Sequence, residues 1–351
     1  MALNGLTSDR SEAWGGHLTQ RPRVLLAATG VDRPLYELAV RTLEEAGLAV
    51  IDTGSMPPDE RLLSRLVASA DAMLATLAPV GAPVIDAGAR LKVIAKVGSG
   101  VDNIDVAAAT RRGIPVCNTP AANSESVADH VFALILALAR QLLRLDGITR
   151  AGEGWNPWPP LLGEELTGKV LGIVGFGRIG RAVARRGHAF GMTCLAHDLE
   201  PHGLAPEWTA NVGLTSLDEV LAGADYISLH VPLSEATRGM IGARELARMK
   251  PSSYLINTAR GPIVDEQALV RALYKGSIRG AGIDVFADEP PISSPLIEVP
   301  NAVVTPHVAG MTSEATARAR YQAAESILTA LRGRFPPRAV NASDLAGSAS
   351  S

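Results

Sequence analysis

The sequence predicts an α/β protein with two doubly wound parallel sheets. Short apolar runs of strand length alternate with helical patterns, and one of these runs leads directly into a glycine-rich turn. In the first half of the chain the predicted strands are 24–28, 48–52, 72–77, 92–97 and 114–118. In the second half they are 169–175, 192–197, 225–230, 253–258, 280–285 and 302–306. Continuous apolar runs are expected of strands that a parallel sheet buries on both faces.

Helical patterns occupy the chain between these runs. In the first half they include 34–46 and 58–68. A long helix is predicted over 124–149, because the acidic side chain of Glu125 favours the N-terminal turn of a helix. The amphipathic stretch 313–331 is predicted to be a further helix near the C-terminus.

The composition indicates a compact folded protein. Hydrophobic residues make up 47% of the chain and charged residues 20%. With 33 basic and 36 acidic residues the net charge is −3, which supplies no field suited to nucleic acid or an anionic membrane. The polar N-terminus carries no signal-peptide pattern. The longest apolar run, 131–139, is shorter than the about 20 residues of a membrane helix.

The two cysteines, Cys117 and Cys194, are too few for a disulfide framework or a thiolate metal site. We interpret them as buried free thiols of a protein in the reducing cytoplasm. The sequence contains no cluster of metal ligands with suitable spacing, so the chemistry is expected to need no metal.

Two domains are expected from the chain length and from the two series of strands. The first domain is predicted to be discontinuous and the second to be inserted into it. The predicted ranges are 22–119 with 309–340 for the first domain, 120–308 for the second, and 1–21 and 341–351 for flexible tails.

The segment 151–168 interrupts the pattern with prolines and glycines and carries Trp155 and Trp158. Two large apolar side chains in such a segment either pack against another subunit or cover their own domain. Together with the helix predicted over 124–149, this segment leads us to expect a homodimer.

A dinucleotide-binding fingerprint follows the strand 169–175 and precedes a helical stretch. In it, Gly175 permits a tight turn, Gly177 lets the backbone approach a pyrophosphate, and Gly180 lets helix and strand pack closely. With Arg178 and Ile179 between them, these residues form the N-terminal turn of the helix, whose free N–H groups stabilise phosphate charge.

The same fingerprint requires an acidic residue at the end of the next strand. Asp198 stands 18 residues after Gly180, close to the expected distance of about 20. A carboxylate at this position accepts hydrogen bonds from a ribose diol and repels a 2′-phosphate. NAD is therefore the predicted cofactor in preference to NADP.

Seven ordered segments resemble the D-isomer-specific 2-hydroxyacid dehydrogenases. They are LKVIAKVGSGVDNID (91–105), NTPAANSESVADH (118–130), GKVLGIVGFGRIG (168–180), HVPLSEATRGMI (230–241), LINTARGPIVDE (255–266), GIDVFADEPP (282–291) and TPHVAG (305–310). The resemblance implies a flavodoxin-like substrate domain and a Rossmann NAD-binding domain. It also implies transfer of a hydride between nicotinamide and C2 of a small 2-hydroxy or 2-keto acid.

The resemblance assigns the catalytic roles to Arg260, Glu289 and His307. A planar guanidinium at Arg260 suits the carboxylate of a keto acid, which it can hold through paired charged hydrogen bonds. An imidazole at His307 suits proton delivery to the developing alkoxide. A carboxylate at Glu289 would orient that imidazole and favour its protonated form.

The resemblance also implies contacts to the cofactor and to the substrate. Besides the glycine turn and Asp198, the expected cofactor contacts are Pro232, Thr237, Thr258, Ala259 and Asp284. Ser99 and Gly100, on a glycine-rich turn, are expected to bind the substrate carboxylate, and Arg260 and His307 are the other expected substrate contacts. The other histidines singled out, His130 and His230, are interpreted as structural.

The substrate prediction depends on the segment ATLAPVGAP, residues 75–83. Phosphoglycerate dehydrogenases typically carry an Arg-Ser pair after the third strand of the first domain, whereas this segment has no basic residue. A small unphosphorylated acid such as glyoxylate or hydroxypyruvate is therefore preferred. The alternatives are 3-phosphoglycerate, with Lys96 or an arginine meeting the phosphate, and a corepressor-like protein that senses NAD(H) without turnover.

Overall fold

The computed structural model describes residues 21–28, 33–53, 59–154, 161–199 and 211–348. The predicted N-terminal tail up to residue 20, Trp155 and Trp158, and residues 349–351 lie outside these ranges. The chain divides into two compact units. Unit 1 comprises 1–123 with 312–351, and unit 2 comprises 124–311.

Unit 1 is built on a five-stranded parallel sheet in the order β2-β1-β3-β4-β5. Its strands are β1 (Arg23–Ala27), β2 (Ala49–Asp52), β3 (Ala72–Ala75), β4 (Ile94–Lys96) and β5 (Val116–Cys117). Its helices in the N-terminal part are α1 (Arg33–Glu45), α2 (Glu60–Val67), α3 (Ala82–Ala87) and α4 (Val106–Arg111). This is the strand order of flavodoxin-like folds, in which ligands bind at the carboxyl ends of β1 and β3.

The unit 1 sheet is covered on both faces, which is why its strands are apolar throughout. Leu25 and Met73 belong to one buried cluster and Leu26 and Leu74 to another, as alternation along parallel strands requires. The second cluster also contains Ile327 from a helix near the C-terminus, Ser313–Leu331 (α11). The predicted helix over 313–331 is therefore confirmed, and it packs on the unit 1 sheet.

The C-terminal segment differs from the flexible tail predicted over 341–351. Residues Ala342–Ser348 form a short helix, α12. The buried Asn341 precedes it, and its amide accepts from Val116 N at 3.0 Å and donates to Ile114 O at 3.0 Å. The polar, small-residue composition suggested a tail, whereas these buried hydrogen bonds to the edge strand anchor the segment.

Unit 2 is built on a seven-stranded parallel sheet in the order β12-β11-β10-β9-β6-β7-β8. Its strands are β6 (Val170–Val174), β7 (Thr193–His197), β8 (Val212–Leu214), β9 (Tyr226–Leu229), β10 (Tyr254–Asn257), β11 (Gly280–Ile283) and β12 (Ala302–Val304). Its helices include α5 (Ser124–Ala139), α6 (Leu142–Arg150), α7 (Arg178–Ala189), α8 (Leu217–Gly223), α9 (Ala243–Leu246) and α10 (Glu266–Lys275). The order reverses at β6, as in Rossmann folds, so the predicted fold class is confirmed.

Strand β8 was absent from the sequence prediction. It is an edge strand of three residues, of which only Val212 is buried. An edge strand with one neighbour buries too few side chains to produce a continuous apolar run, so the apolar pattern did not reveal it.

The single helix predicted over 124–149 is wrong in one respect. The structure ends α5 at Ala139 and starts α6 at Leu142, because Gln141 has a left-handed φ of +53°. Its side chain donates to Leu162 O at 2.9 Å, which ties the break to the chain beyond residue 160. Among the described residues, no helix is both long and apolar enough to cross a membrane.

Candidate active site

The glycine turn after β6 has the geometry of a phosphate-binding turn. Gly175 has a φ of +95°, and a Cβ there would lie 2.7 Å from the carbonyl carbon of His230. A Cβ on Gly180 would lie 2.2 Å from Gly175 O, so strand and helix can approach only at a glycine. A Cβ on Gly177, at the N-terminus of α7, would meet nothing within 4 Å. That open space fits a pyrophosphate over the helix N-terminus, beside Ile179 and the exposed Arg178.

Asp198 follows β7 and contacts the glycine turn directly. Its Oδ2 accepts a hydrogen bond from Phe176 N at 2.6 Å. The carboxylate therefore fixes the turn, in addition to any contact it makes with a ribose. The sequence fingerprint contains both residues but does not indicate this contact.

The turn after β10 places Arg260 through its own backbone contacts. Asn257 accepts from Ala259 N at 3.0 Å and donates from Nδ2 to Arg260 O at 2.9 Å. The guanidinium of Arg260 donates to Ala259 O at 2.7 Å. Thr258 Oγ1 is buried without a hydrogen-bond partner in the described part of the chain, as expected of a group that a ligand satisfies.

His307 and Glu289 form a directly contacting pair of side chains in the candidate site. His307 Nδ1 lies 2.7 Å from Glu289 Oε2, and Glu289 Oε1 accepts from Phe286 N at 3.1 Å. Burial acts to raise the pKa of Glu289. The hydrogen bonds from His307 and Phe286 and the charges of His307 and Arg260 outweigh it, so the pKa lies below its usual range. Glu289 is therefore a carboxylate near neutral pH and can hold the imidazole in one orientation.

The predicted cofactor residue Asp284 is completely buried behind His307. Its backbone carbonyl accepts from His307 N at 2.8 Å, and its carboxylate accepts from Val308 N and Ala309 N, each at 2.9 Å. His307 has a φ of +56°, in the left-handed region that few residues other than glycine adopt. Asp284 thus holds the loop that carries the imidazole.

The loop after β9 contains the two residues expected on the adenosine side. Pro232 is exposed at the carboxyl end of the sheet. The buried Thr237 donates to Pro232 O at 2.6 Å and accepts from Ser234 N at 2.8 Å. This hydroxyl closes the loop and sets its shape.

The two histidines interpreted as structural both form side-chain contacts within unit 2. His230 Nε2 lies 2.9 Å from Ser228 Oγ, and burial lowers the pKa of His230 to about 3. A histidine that is neutral throughout the physiological range is a poor proton donor. His130 Nε2 lies 3.0 Å from Thr305 Oγ1, two residues before His307.

In unit 1, Ser99 and Gly100 lie on the turn that follows β4. Asn118 donates to Ser99 O at 2.7 Å, and Ser99 Oγ donates to Asn123 Oδ1 at 3.1 Å. Within the described ranges, neither the Ser99 N–H nor the Gly100 N–H donates to another backbone group. Adjacent free N–H groups on a glycine-rich turn are suited to an anion.

The segment 75–83 begins at the last residue of β3 and is hydrogen-bonded to the chain after β4. Asn103 donates to Ala78 O at 2.6 Å, and Val80 N donates to Asn103 O at 2.8 Å. Lys96 is buried and donates to Thr76 O. Leu77, in contrast, is 79% exposed. This segment therefore presents an apolar side chain, and the ammonium of Lys96 is directed into the fold.

Sequence reasoning missed Gly261, which directly follows Arg260. A Cβ at this position would lie 1.9 Å from the backbone of Phe286, the residue whose N–H holds Glu289. Gly261 therefore brings the arginine turn against the segment that carries the carboxylate. The glycine is visible in the NTARG motif, but its neighbour across the fold is not.

Comparison with known proteins places the chain in a family. The family model described as "D-isomer specific 2-hydroxyacid dehydrogenase, NAD binding domain" matches residues 132–309. A glyoxylate reductase of Korarchaeum cryptofilum is 40% identical over 326 residues, covering 92% of this chain and 96% of the relative. The chain belongs to the D-isomer specific 2-hydroxyacid dehydrogenases. The recognition from the seven motifs is thereby confirmed.

One further relative and one solved structure show how much of each chain the similarity covers. A D-3-phosphoglycerate dehydrogenase of Mycobacterium tuberculosis is 45% identical over 289 residues, covering 81% of this chain but only 53% of that protein. The crystal structure of the TT0316 protein from Thermus thermophilus superposes with a TM-score of 0.81 at 40% identity, covering 91% of this chain and 99% of that one.

Membership of the family establishes the reaction class. The protein is an oxidoreductase that interconverts 2-hydroxy and 2-keto acids with a nicotinamide cofactor. The family match includes the glycine turn, Arg260, Glu289 and His307.

Proposed function

We propose that this dehydrogenase reduces a small unphosphorylated 2-keto acid of the glyoxylate or hydroxypyruvate type with NADH. The observation that carries the proposal is the 2.7 Å contact between His307 Nδ1 and Glu289 Oε2, which leaves Nε2 of the imidazole to face a substrate. A histidine oriented by a carboxylate is suited to give a proton to an alkoxide and to take it back in the reverse direction.

Each catalytic side chain has one task in this reaction. The cofactor, when bound, supplies the hydride that reaches C2 of the keto acid. Arg260 binds the substrate carboxylate, and its positive charge polarises the neighbouring carbonyl. His307 donates the proton that the carbonyl oxygen needs once C2 has received the hydride. Glu289 stabilises the protonated imidazole before transfer and keeps its orientation afterwards.

We assign the cofactor to the carboxyl edge of the unit 2 sheet. The proposed contacts are Gly175, Gly177, Arg178, Ile179, Gly180, Asp198, Pro232, Thr237, Thr258, Ala259 and Asp284. The open space over Gly177 and the unpartnered Thr258 Oγ1 support this assignment. For unit 1 we propose that Ser99 and Gly100 bind the substrate carboxylate, as the unused N–H groups of their turn suggest.

Replacing Asp198 by asparagine is expected to reduce the preference for NADH over NADPH by roughly tenfold. The amide keeps an oxygen that accepts from Phe176 N but loses the charge that repels a 2′-phosphate. A hydrogen bond to a charged group, such as the one expected between the carboxylate and the ribose diol, is worth about 1.5–3 kcal/mol. The measurement is kcat/KM with each cofactor. Asp146→Asn, on the exposed α6, removes the same charge away from the turn and serves as the control. An unchanged ratio in Asp198→Asn contradicts the proposed NAD preference.

The segment after β3 supports an unphosphorylated substrate. It lies at the carboxyl end of β3, beside β1, where the strand order of unit 1 reverses and ligands of such folds bind. It exposes Leu77 and carries no basic residue, while the ammonium of Lys96 is occupied by Thr76 O. A phosphate dianion would find no charge partner in this segment.

The second candidate substrate is 3-phosphoglycerate, because phosphoglycerate dehydrogenases are 45% identical to this chain over 289 residues. A turnover panel separates the two candidates. We expect NADH oxidation with glyoxylate and hydroxypyruvate, and a kcat/KM for phosphohydroxypyruvate at least tenfold lower. The reverse order would select the phosphorylated substrate. Tight NADH binding with no turnover of any keto acid would instead select a corepressor-like sensor.

We also propose a cytoplasmic homodimer. The free, buried Cys117 and Cys194, whose pKa values burial raises to about 11, suit a reducing compartment. Leu142 and Leu143 at the start of α6 are both more than half exposed, as expected of side chains that a second copy covers. Sedimentation velocity tests the dimer, and cell fractionation tests the compartment.

A further inference from the structure

A partly buried chain of side-chain hydrogen bonds leads from helix α5 to the loop that carries His307. Thr305 follows the last residue of β12, and its hydroxyl donates to Asp284 Oδ1 at 2.5 Å. His130 on α5 lies at the other end of the chain, with its Nε2 at 3.0 Å from the same hydroxyl oxygen. The direct distance from His130 Nε2 to Asp284 Oδ1 is 3.6 Å, so Thr305 is the connecting group.

The donors in this chain can be assigned from the chemistry of the groups. The Thr305 hydroxyl has one hydrogen, and the completely buried carboxylate of Asp284 takes it. The hydroxyl oxygen must therefore accept from His130, which requires the hydrogen of the imidazole to be on Nε2. His130 thus holds Thr305 in the rotamer that donates to Asp284.

Asp284 in turn holds the loop that carries His307. It takes three consecutive backbone N–H groups: His307 on its main-chain oxygen, and Val308 and Ala309 on its carboxylate. These bonds hold His307 at a φ of +56°, a conformation that persists only where the surroundings impose it. Val308 N and the Thr305 hydroxyl share one carboxylate oxygen, Oδ1, so a rotation of the carboxylate would loosen both.

We propose that His130 and Thr305 are positioning residues that aim the imidazole of His307 by fixing the carboxylate of Asp284. The inference rests on the proposed function, because His307 is the acid and base only if the protein reduces keto acids. It assigns to His130 a role beyond filling the core. Asp284 then has two tasks, namely binding the cofactor and anchoring the loop that carries His307. If Asp284 only bound the cofactor, replacing Thr305 would change the affinity for NADH and would leave proton transfer unchanged.

The first test compares Thr305→Val with Thr305→Ser. Valine keeps the shape but loses the hydroxyl, whereas serine keeps the hydroxyl. In Thr305→Val we expect kcat to fall roughly tenfold or more, since small misplacements of a catalytic group cost up to about 10²-fold. The solvent deuterium isotope effect on kcat should rise, because proton transfer from a misaimed imidazole becomes slower. The Kd for NADH should stay within twofold of the wild-type value, and Thr305→Ser should recover most of kcat.

The second comparison uses His130→Gln and His130→Leu. Glutamine places an amide N–H at the position of the imidazole Nε2, and leucine offers no donor. We expect the loss of kcat and the raised isotope effect in the leucine variant and a largely wild-type isotope effect in the glutamine variant. The matched control for Thr305→Val is Thr149→Val, which removes a threonine hydroxyl on the exposed face of α6, outside this chain of hydrogen bonds.

A measurement that needs no turnover distinguishes failure of this inference from failure of the proposed function. In amide hydrogen exchange without ligand, the peptide covering 305–311 should exchange faster in Thr305→Val than in Thr305→Ser or wild type. Equal exchange overturns the anchoring by Thr305. Faster exchange with unchanged kcat and isotope effect overturns the positioning role. A wild-type protein that reduces no keto acid rejects the proposed function, while the exchange result still decides whether Thr305 anchors the loop.

Discussion

Replacing His307 by asparagine is expected to lower kcat for keto-acid reduction by about 10²–10⁴-fold while leaving the affinity for NADH nearly unchanged. The reason is that the imidazole is the proposed proton donor, whereas the proposed cofactor contacts lie on the glycine turn and in the segments that follow β7, β9, β10 and β11. Asparagine is a more specific test than alanine, because it removes the imidazole and still tolerates the left-handed φ of +56° at this position. His307→Ala, which adds backbone strain, is expected to abolish turnover.

The measurement pairs stopped-flow hydride transfer with NADH titration by fluorescence. His188→Asn, in the last turn of α7 and exposed, is the matched control and should behave as wild type. Loss of NADH affinity with single-turnover chemistry intact would show that His307 is a binding residue and not the acid and base.

Replacing Gly261 by alanine is expected both to destabilise unit 2 and to reduce kcat/KM for keto-acid reduction. The new Cβ would lie 1.9 Å from the carbonyl carbon and oxygen of Phe286 and 2.5 Å from Ala287 N, so backbone must move. Overpacking of this kind costs about 1–3 kcal/mol and sometimes more. This movement would change the position of Arg260 relative to Glu289, because Gly261 directly follows Arg260 and Phe286 N is the hydrogen-bond donor that holds the carboxylate.

Urea unfolding, monitored by circular dichroism, measures the free energy of unfolding, and kcat/KM measures the effect on activity. Gly147→Ala provides the matched control, because it lies inside α6 and its new Cβ would meet nothing within 4 Å. That change should raise stability by about 0.5–1 kcal/mol, the usual gain in a helix interior. Wild-type stability and kcat/KM in Gly261→Ala would refute the close contact with Phe286.

The fold was predictable where burial on both faces of a sheet left a continuous apolar run. All eleven predicted strands are present, and the helix Ser313–Leu331 has the predicted bounds. Errors occurred where one residue or one distant contact decides the structure. Gln141 in a left-handed conformation breaks the helix predicted over 124–149, and Asn341 anchors a segment predicted to be a tail. Neither effect has a periodicity that a sequence pattern could reveal.

For the site, the sequence by itself predicted which residues carry the chemistry. The glycine turn was predicted from its place between a strand and a helix, and the roles of Arg260, Glu289 and His307 were predicted from the resemblance of their motifs to the dehydrogenase family. Only the tertiary structure decided how these groups are held. Thr305 and His130, 175 residues apart, meet across α5 and β12, and Gly261 meets Phe286. Hydrogen bonds and steric contacts act over a few ångströms whatever the sequence separation, so positioning residues leave no local pattern while catalytic residues do.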